Sequence, residues 1–137
     1  MNSNKLMNNP TPTPKRLLAI IELGGYPNFT PLYQKLGYEV VVMSSMRKVL
    51  NFLKKNQPTL IVAEFNFQPD FRDRTSNLES LLAVKQRMPE TKMIVFYEPD
   101  YVQQLEKLRT RFPLFEVLSY PIETHQLEQA IKNIVKM

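Results

Sequence analysis

The sequence predicts an α/β fold, a three-layer sandwich in which a five-stranded parallel sheet is covered by helices on both faces. From Arg16 onwards, short apolar runs alternate with segments whose apolar residues recur at helical spacing. The apolar runs are continuous, which indicates strands buried on both faces and hence parallel pairing. A length of 137 residues, 43% of them hydrophobic and 23% charged, fits one globular domain.

Five runs have the length and the Val, Ile, Leu and aromatic content of β-strands. They are residues 17–22, 39–43, 60–65, 93–97 and 116–119. Right-handed crossovers would bring the carboxyl ends of these strands to one edge of the sheet, where such folds place their functional sites.

The segments between the strands carry helix-start signals, polar side chains that can accept from free N–H groups of the first turn. The candidates are Asn28 or Thr30, Ser44 or Ser45, Ser76 with Glu79, and Asp100. Pro27 and Pro31 confine the first helix to a short piece that ends at Gly37. The last helix is expected to start near Thr124 and to bury five residues, Leu127, Ala130, Ile131, Ile134 and Val135.

Two regions are predicted: a tail at residues 1–14 and a folded domain at residues 15–137. The tail reads MNSNKLMNNPTPTP, which has no periodicity and favours an extended, disordered spacer. It has no apolar segment of the kind a secretory signal needs, so we expect a cytoplasmic protein.

Composition excludes several kinds of chemistry. The chain has no cysteine and a single histidine, so disulfides, thiolate nucleophiles and multi-histidine metal sites are excluded. That histidine, His125, falls at a helix start and is interpreted as exposed, so no enzyme activity is expected. The net charge of +5 is dispersed over pairs such as Arg47 and Lys48, which predicts neither a nucleic-acid tract nor a membrane surface.

Three acidic residues fall at the carboxyl edge of the predicted sheet. Glu22 follows the first strand, Glu64 lies in the third and Glu98 follows the fourth. Clustered carboxylates there suggest a divalent cation or a phosphoacceptor. The alternative is that Glu64 and Glu98 form ion pairs with Arg72, Arg74 or a lysine.

The order and spacing of these segments resemble the receiver domains of two-component response regulators, over residues 15–137. The resemblance implies a flavodoxin-like sheet in the order 2-1-3-4-5 and a bacterial signal-transduction protein. In the segment LLAIIELGG, Glu22 stands at the first acidic position of the family and Leu23 at the second. In the segment PTLIVAE, Glu64 stands where the family has its phosphoacceptor aspartate.

The remaining phosphorylation residues of the family are also replaced. Tyr97 stands at the Thr or Ser position after strand four, and Tyr120 with Pro121 stands at the Lys-Pro pair after strand five. Phosphoryl transfer to a carboxylate needs a magnesium site, a lysine and a sensing hydroxyl, so the resemblance implies a pseudo-receiver that is not phosphorylated. It also implies a cis peptide bond between Tyr120 and Pro121.

The segment FNFQPDFRDRTS after Glu64 is longer than the corresponding loop of the family. Its aromatic and charged residues suit a binding loop, for which the candidates are Phe67, Asp70, Arg72 and Arg74. The alternative is that its phenylalanines fold back over the sheet edge. Asp70 or Asp73 is a candidate for the missing magnesium ligand.

The function predicted is a signalling module that binds a protein partner, or a second copy of itself, and needs no cofactor. By resemblance, the contact surface is the face of helix four, strand five and helix five, with Gln104, Lys107, Arg111, Tyr120 and Gln129. In a competing interpretation Tyr97 and Tyr120 turn inward and fill the space of the missing phosphate site. The alternative function is a flavodoxin-like domain that binds a nucleotide or other small ligand at the carboxyl edge, for which the glycine pair of Leu23-Gly24-Gly25 is a weak signal.

Overall fold

The computed structural model describes residues 15–22, 26–66, 78–113 and 115–135. The strands within them are β1 Arg16–Ile20, β2 Glu39–Met43, β3 Leu60–Glu64, β4 Lys92–Tyr97 and β5 Glu116–Ser119. They form one sheet in the order β2-β1-β3-β4-β5, and every neighbouring pair is parallel. The predicted fold class and strand order are confirmed.

Helices cover both faces of this sheet. They are α1 Thr30–Lys35, α2 Met46–Leu53, α3 Glu79–Lys85, α4 Val102–Arg111 and α5 Thr124–Val135, with a 3₁₀ turn at Pro99–Tyr101 before α4. The apolar residues of α1 and α5 pack on one face, and those of α2, α3 and α4 pack on the other. The result is the doubly wound sandwich that the alternating pattern predicts.

Burial differs between the central and the edge strands. All residues of β3 are buried, and in β1 and β4 only terminal residues are partly exposed. The edge strands β2 and β5 contain no buried residue, and Val42 in β2 is 53% exposed. Continuous apolarity therefore predicted burial correctly for the three central strands, whereas an edge strand lacks a neighbour to cover it.

Two helix starts follow the predicted chemistry. The Oγ of Ser45 accepts a hydrogen bond from the Lys48 N–H at 3.4 Å, and the Oδ1 of Asn28 accepts one from the Thr30 N–H at 3.0 Å. The chain after α1 turns at Gly37, whose φ of +95° lies in the left-handed region that glycine adopts without strain. The predicted short first helix is confirmed.

Three local predictions need correction. Asp100 does not cap α4, because it lies within the 3₁₀ turn and Tyr101 directly precedes the helix. Val135 is 37% exposed and Ala130 is only partly buried. Of the five residues predicted to be buried in α5, only Leu127, Ile131 and Ile134 are buried. β1 and β3 end at Ile20 and Glu64, before the predicted strand ends.

Several predictions fall outside the described residues. These are the tail at residues 1–14 and the candidate binding loop with Phe67, Asp70, Arg72 and Arg74. The capping box predicted for Ser76 and Glu79 is wrong, because α3 begins at Glu79 and Leu78 occupies its N-cap position. Among the residues that are described, no helix has the length and apolarity needed to span a membrane.

Candidate functional site

The carboxyl ends of β1, β3 and β4 meet at one edge of the sheet, as parallel pairing requires. Ala19 of β1 is in register with Val62 of β3, and Glu64 at the end of β3 is in register with Phe96 of β4. The loops that contain Glu22 and Glu98 leave from this same edge. The predicted acidic residues therefore share an edge, although each belongs to a different strand or loop.

Glu64 is buried at this edge, with 3% of its surface exposed. Burial of a carboxylate is costly, so such a group needs polar partners close by. The phenol of Tyr26 lies within electrostatic reach of Glu64 and Glu98, because both carboxylates raise its pKa. The local environment of Glu64 thus includes an aromatic hydroxyl from the loop between β1 and α1.

Tyr26 belongs to an aromatic cluster, which we define as Tyr26, Phe29, Phe96 and Tyr120. The ring of Tyr26 packs on Phe96 at a centroid distance of 5.4 Å and meets Tyr120 edge-on at 5.7 Å. Phe29 packs edge-on against Phe96 at 5.9 Å. Aromatic pairs in such geometries contribute about 0.5–1.5 kcal/mol each beyond the burial of their surface. The cluster therefore fixes the position of the Tyr26 ring at the carboxyl edge.

The electrostatics keep the Tyr26 hydroxyl protonated. Burial is the largest cause that raises the pKa of Tyr26, followed by the negative charges of Glu98 and Glu64 and by Tyr120. A neutral phenol keeps its proton and remains a hydrogen-bond donor at physiological pH. A carboxylate beside the phenol can accept a hydrogen bond from it. An added anion would be repelled by the negative charges of Glu64 and Glu98, which raise the pKa of Tyr26.

The space left beside Glu64 is small. A cavity of about 20 Å³ lies beneath the aromatic cluster, and its lining includes Ala63, Glu64, Tyr26, Tyr33 and Phe96. A cavity needs about 10–15 Å³ to hold one water molecule, so this one has room for about one. Burial also raises the pKa of Tyr33, so the wall formed by that residue is uncharged.

Tyr97 lies on the other face of the sheet. It packs against the apolar cluster formed by α2, α3 and α4, whereas its neighbour Phe96 packs with α1 and α5. Successive side chains of a strand point to opposite faces, so the two residues cannot share a side. Tyr97 does not line the cavity beside Glu64, and the interpretation in which Tyr97 fills this space is wrong.

Tyr120 lies at the rim of the cavity beside Glu64 rather than inside it. Its side chain is 40% exposed while one side of its ring contacts Tyr26. The Tyr120 N–H donates to the carbonyl of Tyr97 at 2.8 Å, and the peptide bond to Pro121 is cis, as predicted. The residue that occupies the inward position is Tyr26, which is not among the site residues predicted from the sequence. An aromatic residue directly after the glycine pair and before Pro27 was the available signal.

The described residues contain no group of three or more acidic or histidine side chains placed to hold a metal ion. Asp70 and Asp73, the candidates for an additional ligand, lie outside these residues.

Phe65 is buried in the apolar cluster of α2, α3 and α4 and is 1% exposed. At least the first phenylalanine of the candidate loop segment is therefore a core residue.

The predicted contact residues of α4 share one side of the helix, because Gln104, Lys107 and Arg111 follow the spacing i, i+3, i+7. Arg111 Nη1 lies 3.3 Å from Glu79 Oε1, so this side chain is directed towards α3. Gln104 precedes Arg111 by about two turns and shares that flank. Arg109 lies on the opposite flank and donates to the carbonyl of Phe115 at 3.4 Å, next to β5. Lys107 lies between Gln104 and Arg111 on their side of the helix, and both Lys107 and Arg111 are exposed.

The surface of α5 carries the rest of the predicted face. Gln129 is exposed, and its side-chain amide donates to the Oδ1 of Asn133 at 3.1 Å. His125 is exposed in the first turn and lies 3.5 Å from Glu123, the position interpreted from sequence. A groove of about 710 Å³ runs between this helix and β5, lined by Glu116, Gln126, Gln129, Ala130 and Asn133 among others.

Comparison with solved structures identifies the fold. The chain is 22% identical to a response regulator receiver domain protein from Clostridium thermocellum, with a TM-score of 0.69 over 89% of this chain and 94% of that chain. A response regulator receiver protein from Sinorhizobium medicae WSM419 is 13% identical, with a TM-score of 0.68 over 90% of this chain and 95% of that one. A CheY-like receiver domain protein from Methanospirillum hungatei JF-1 is 16% identical, with a TM-score of 0.68 over 90% and 95%.

These identities are low, so the similarity shows the fold, which is that of response regulator receiver domains. No protein-family model matches the chain. No curated protein matches it either.

Proposed function

We propose that this protein is a receiver-like signalling module that is not phosphorylated and that acts by contact with a protein partner. The observation that carries the proposal is the burial of Glu64 beside the Tyr26 ring, at the position that aligns with the family's phosphoacceptor. The receiver fold supports the signalling role.

Access to Glu64 is the first argument against phosphoryl transfer. An attacking carboxylate must come within about 3–3.5 Å of phosphorus in the correct orientation. A cavity of about 20 Å³ offers no room for a phosphoryl group and its metal ion. The glutamate side chain is also one methylene longer than aspartate, which displaces its carboxylate from the position that the family's chemistry uses.

Charge is the second argument. Phosphoryl transfer develops negative charge that cations must stabilise. The family's lysine is replaced by Tyr120, and the acids Glu64 and Glu98 are close enough to raise the pKa of Tyr26. A phenol therefore stands where the family has a cation, and it supplies no positive charge to the transferred group.

The test is phosphorylation by acetyl phosphate with Mg²⁺, followed by intact mass spectrometry. We expect no phosphoryl adduct on the wild-type protein, while a receiver domain with an aspartate acceptor is labelled under the same conditions. A wild-type adduct that disappears in Glu64→Gln would overturn the proposal. An adduct that disappears only in Asp70→Asn would overturn it as well and would assign the acceptor to the long loop.

The contact surface that we propose is the face of α4, β5 and α5, centred on Tyr120. Tyr120 is 40% exposed, yet its ring is held against Tyr26, so it can bury a large area on binding while losing little rotamer freedom. The groove between β5 and α5 lies on the same face and offers a depression for a partner side chain. Gln104, Lys107 and Arg111 lie on one side of α4, and we place the α4 part of this contact at the two exposed residues of that side, Lys107 and Arg111.

A nucleotide or flavin at the carboxyl edge is the weaker candidate. Small-molecule sites usually enclose about 300–1,000 Å³. The cavity lined by Tyr26 and Glu64 is far below this size. Within the described part of this edge, no observation favours such a ligand.

A further inference from the structure

A second groove lies between α2 and α3, at the opposite edge of the sheet from Glu64. It has a volume of about 810 Å³ and is open to solvent along its length. Its α2 side includes Asn56 and Gln57, which lead into the amino end of β3. The groove is therefore separate from the aromatic cluster and from the face of α4, β5 and α5.

The floor of this groove is apolar, and the α3 side chains along its edge are small. Leu50 and Leu53 contribute from α2, and Val84 and Met88 contribute from α3 and the turn after it. The other lining residues on this side are Ser80 and Ala83 of α3, which are small and exposed, and Arg87 in the turn after the helix. Positions 80, 83 and 84 form one stripe on α3, a helix of seven residues that is about 10.5 Å long at 1.5 Å per residue.

The rim is basic. Lys54, Lys55 and Arg87 are exposed and line the groove, and their side chains form no ion pair within residues 15–22, 26–66, 78–113 and 115–135. Five cations elsewhere in the described residues form ion pairs, namely Arg16, Lys35, Arg109, Arg111 and Lys132, so their charges are partly compensated. The α2 segment adds Arg47 and Lys48 and contains no acid. Positive charge that is scattered in the sequence is thus concentrated at this groove.

We propose that this groove binds an acidic amphipathic helix of a partner protein. The apolar floor would receive the apolar stripe of the helix, and acids on either side of that stripe would pair with Lys54, Lys55 and Arg87. A helix of two to three turns matches the length of the α3 stripe. Nucleic acid would use the cations but not the apolar floor, which disfavours it. The tail of this chain at residues 1–14 has one lysine and no acid, so it lacks the complementary charge.

The proposal can be tested with a fluorescein-labelled synthetic helix that carries leucines at positions i, i+4 and i+7 and glutamates on both flanks. We expect saturable binding by fluorescence anisotropy that weakens with added salt. The double variant Lys54→Glu with Arg87→Glu should weaken it at least tenfold. The control double variant Lys15→Glu with Lys35→Glu makes the same charge change at exposed residues outside the groove and should alter affinity less than twofold. Circular dichroism would verify that each variant is folded.

Two further measurements separate the apolar from the charged contribution and locate the site. Ala83→Arg adds a cation but fills the groove, so it should weaken binding if the floor is used. Amide chemical-shift changes on peptide addition should concentrate in α2 and α3. The proposal would be overturned if the Lys54 and Arg87 changes left peptide binding unaffected, or if the chemical-shift changes lay outside α2 and α3. It would also be overturned if single-stranded DNA bound equally tightly and Ala83→Arg did not weaken that binding. Self-association lost in the double variant would also overturn it, since the occupant would then be a second copy.

Discussion

The rings of Tyr26 and Phe96 pack at a centroid distance of 5.4 Å with an interplanar angle of 51°. Phe96 is in register with Glu64, so the loop after β1 is joined by this contact to the strand beside the buried acid. In a receiver domain the same edge must open to admit phosphate. Here the Tyr26 ring occupies that edge beside Glu64, which is the contact on which the proposed lack of phosphorylation depends.

Replacement of Tyr26 by alanine should destabilise the protein. The change removes contacts with both Phe96 and Tyr120 and enlarges the cavity beside Glu64. We expect a loss of about 1–3 kcal/mol in the free energy of unfolding, measured by urea denaturation. Tyr26→Phe keeps the ring and should lose less than half as much. Equal losses in both variants would show that the hydroxyl, rather than ring packing, stabilises this edge.

Stability should fall at alkaline pH. Burial raises the pKa of Tyr26, Tyr33 and Tyr38 above the ordinary value of 10.0. The folded protein then holds these protons more tightly than the unfolded chain, so the stabilisation is fully present below about pH 10 and is lost as the pH rises above it. Urea unfolding at a series of pH values between 8 and 11 should show this decline, and absorbance titration should show late-ionising tyrosines. In Tyr26→Phe the decline should be smaller.

Replacement of Lys85 by methionine should stabilise the protein. Lys85 is 6% exposed, and its pKa is lowered by burial and then by the positive charge of Lys92. Methionine keeps a similar apolar length without a buried ammonium group, so we expect a gain of about 0.5–1 kcal/mol at neutral pH. The exposed Lys107→Met should change the free energy of unfolding by less than about 0.5 kcal/mol. A loss of stability in Lys85→Met would indicate that the charge of Lys85 is compensated.

The proposed contact face predicts which substitutions affect association. If the partner is a second copy, light scattering should show a mass that rises with concentration, and Tyr120→Ala should abolish the rise. Lys107→Glu should reduce it more than Arg111→Glu, because the Arg111 guanidinium already pairs with Glu79 of α3. With a partner protein in place of a second copy, the same order of effects is expected on its affinity. An unchanged response to Tyr120→Ala would place the contact elsewhere.

The strand pattern could be predicted because it depends on local composition. Runs such as Leu60 to Ala63 are apolar throughout, and a strand covered on both faces buries every residue of such a run. The residues at which helices start were predicted less accurately. Ser45 caps α2, but Asp100 has the same kind of side chain and falls in a 3₁₀ turn after Pro99. Capping depends on where the helix geometry begins, which a polar side chain alone does not fix.

The sequence by itself determined the sheet, its helical layers and the edge where Glu22, Glu64 and Glu98 gather, because hydrophobic period and chain order constrain these features. Only the tertiary structure decided that Tyr26, rather than Tyr97, lies beside Glu64, since one residue of shift along β4 sends a side chain to the opposite face. It also decided that Arg111 faces α3 and that Lys54 and Arg87 border one groove. These relationships join residues far apart in the chain, and they follow from how helices pack on the sheet rather than from any local spacing.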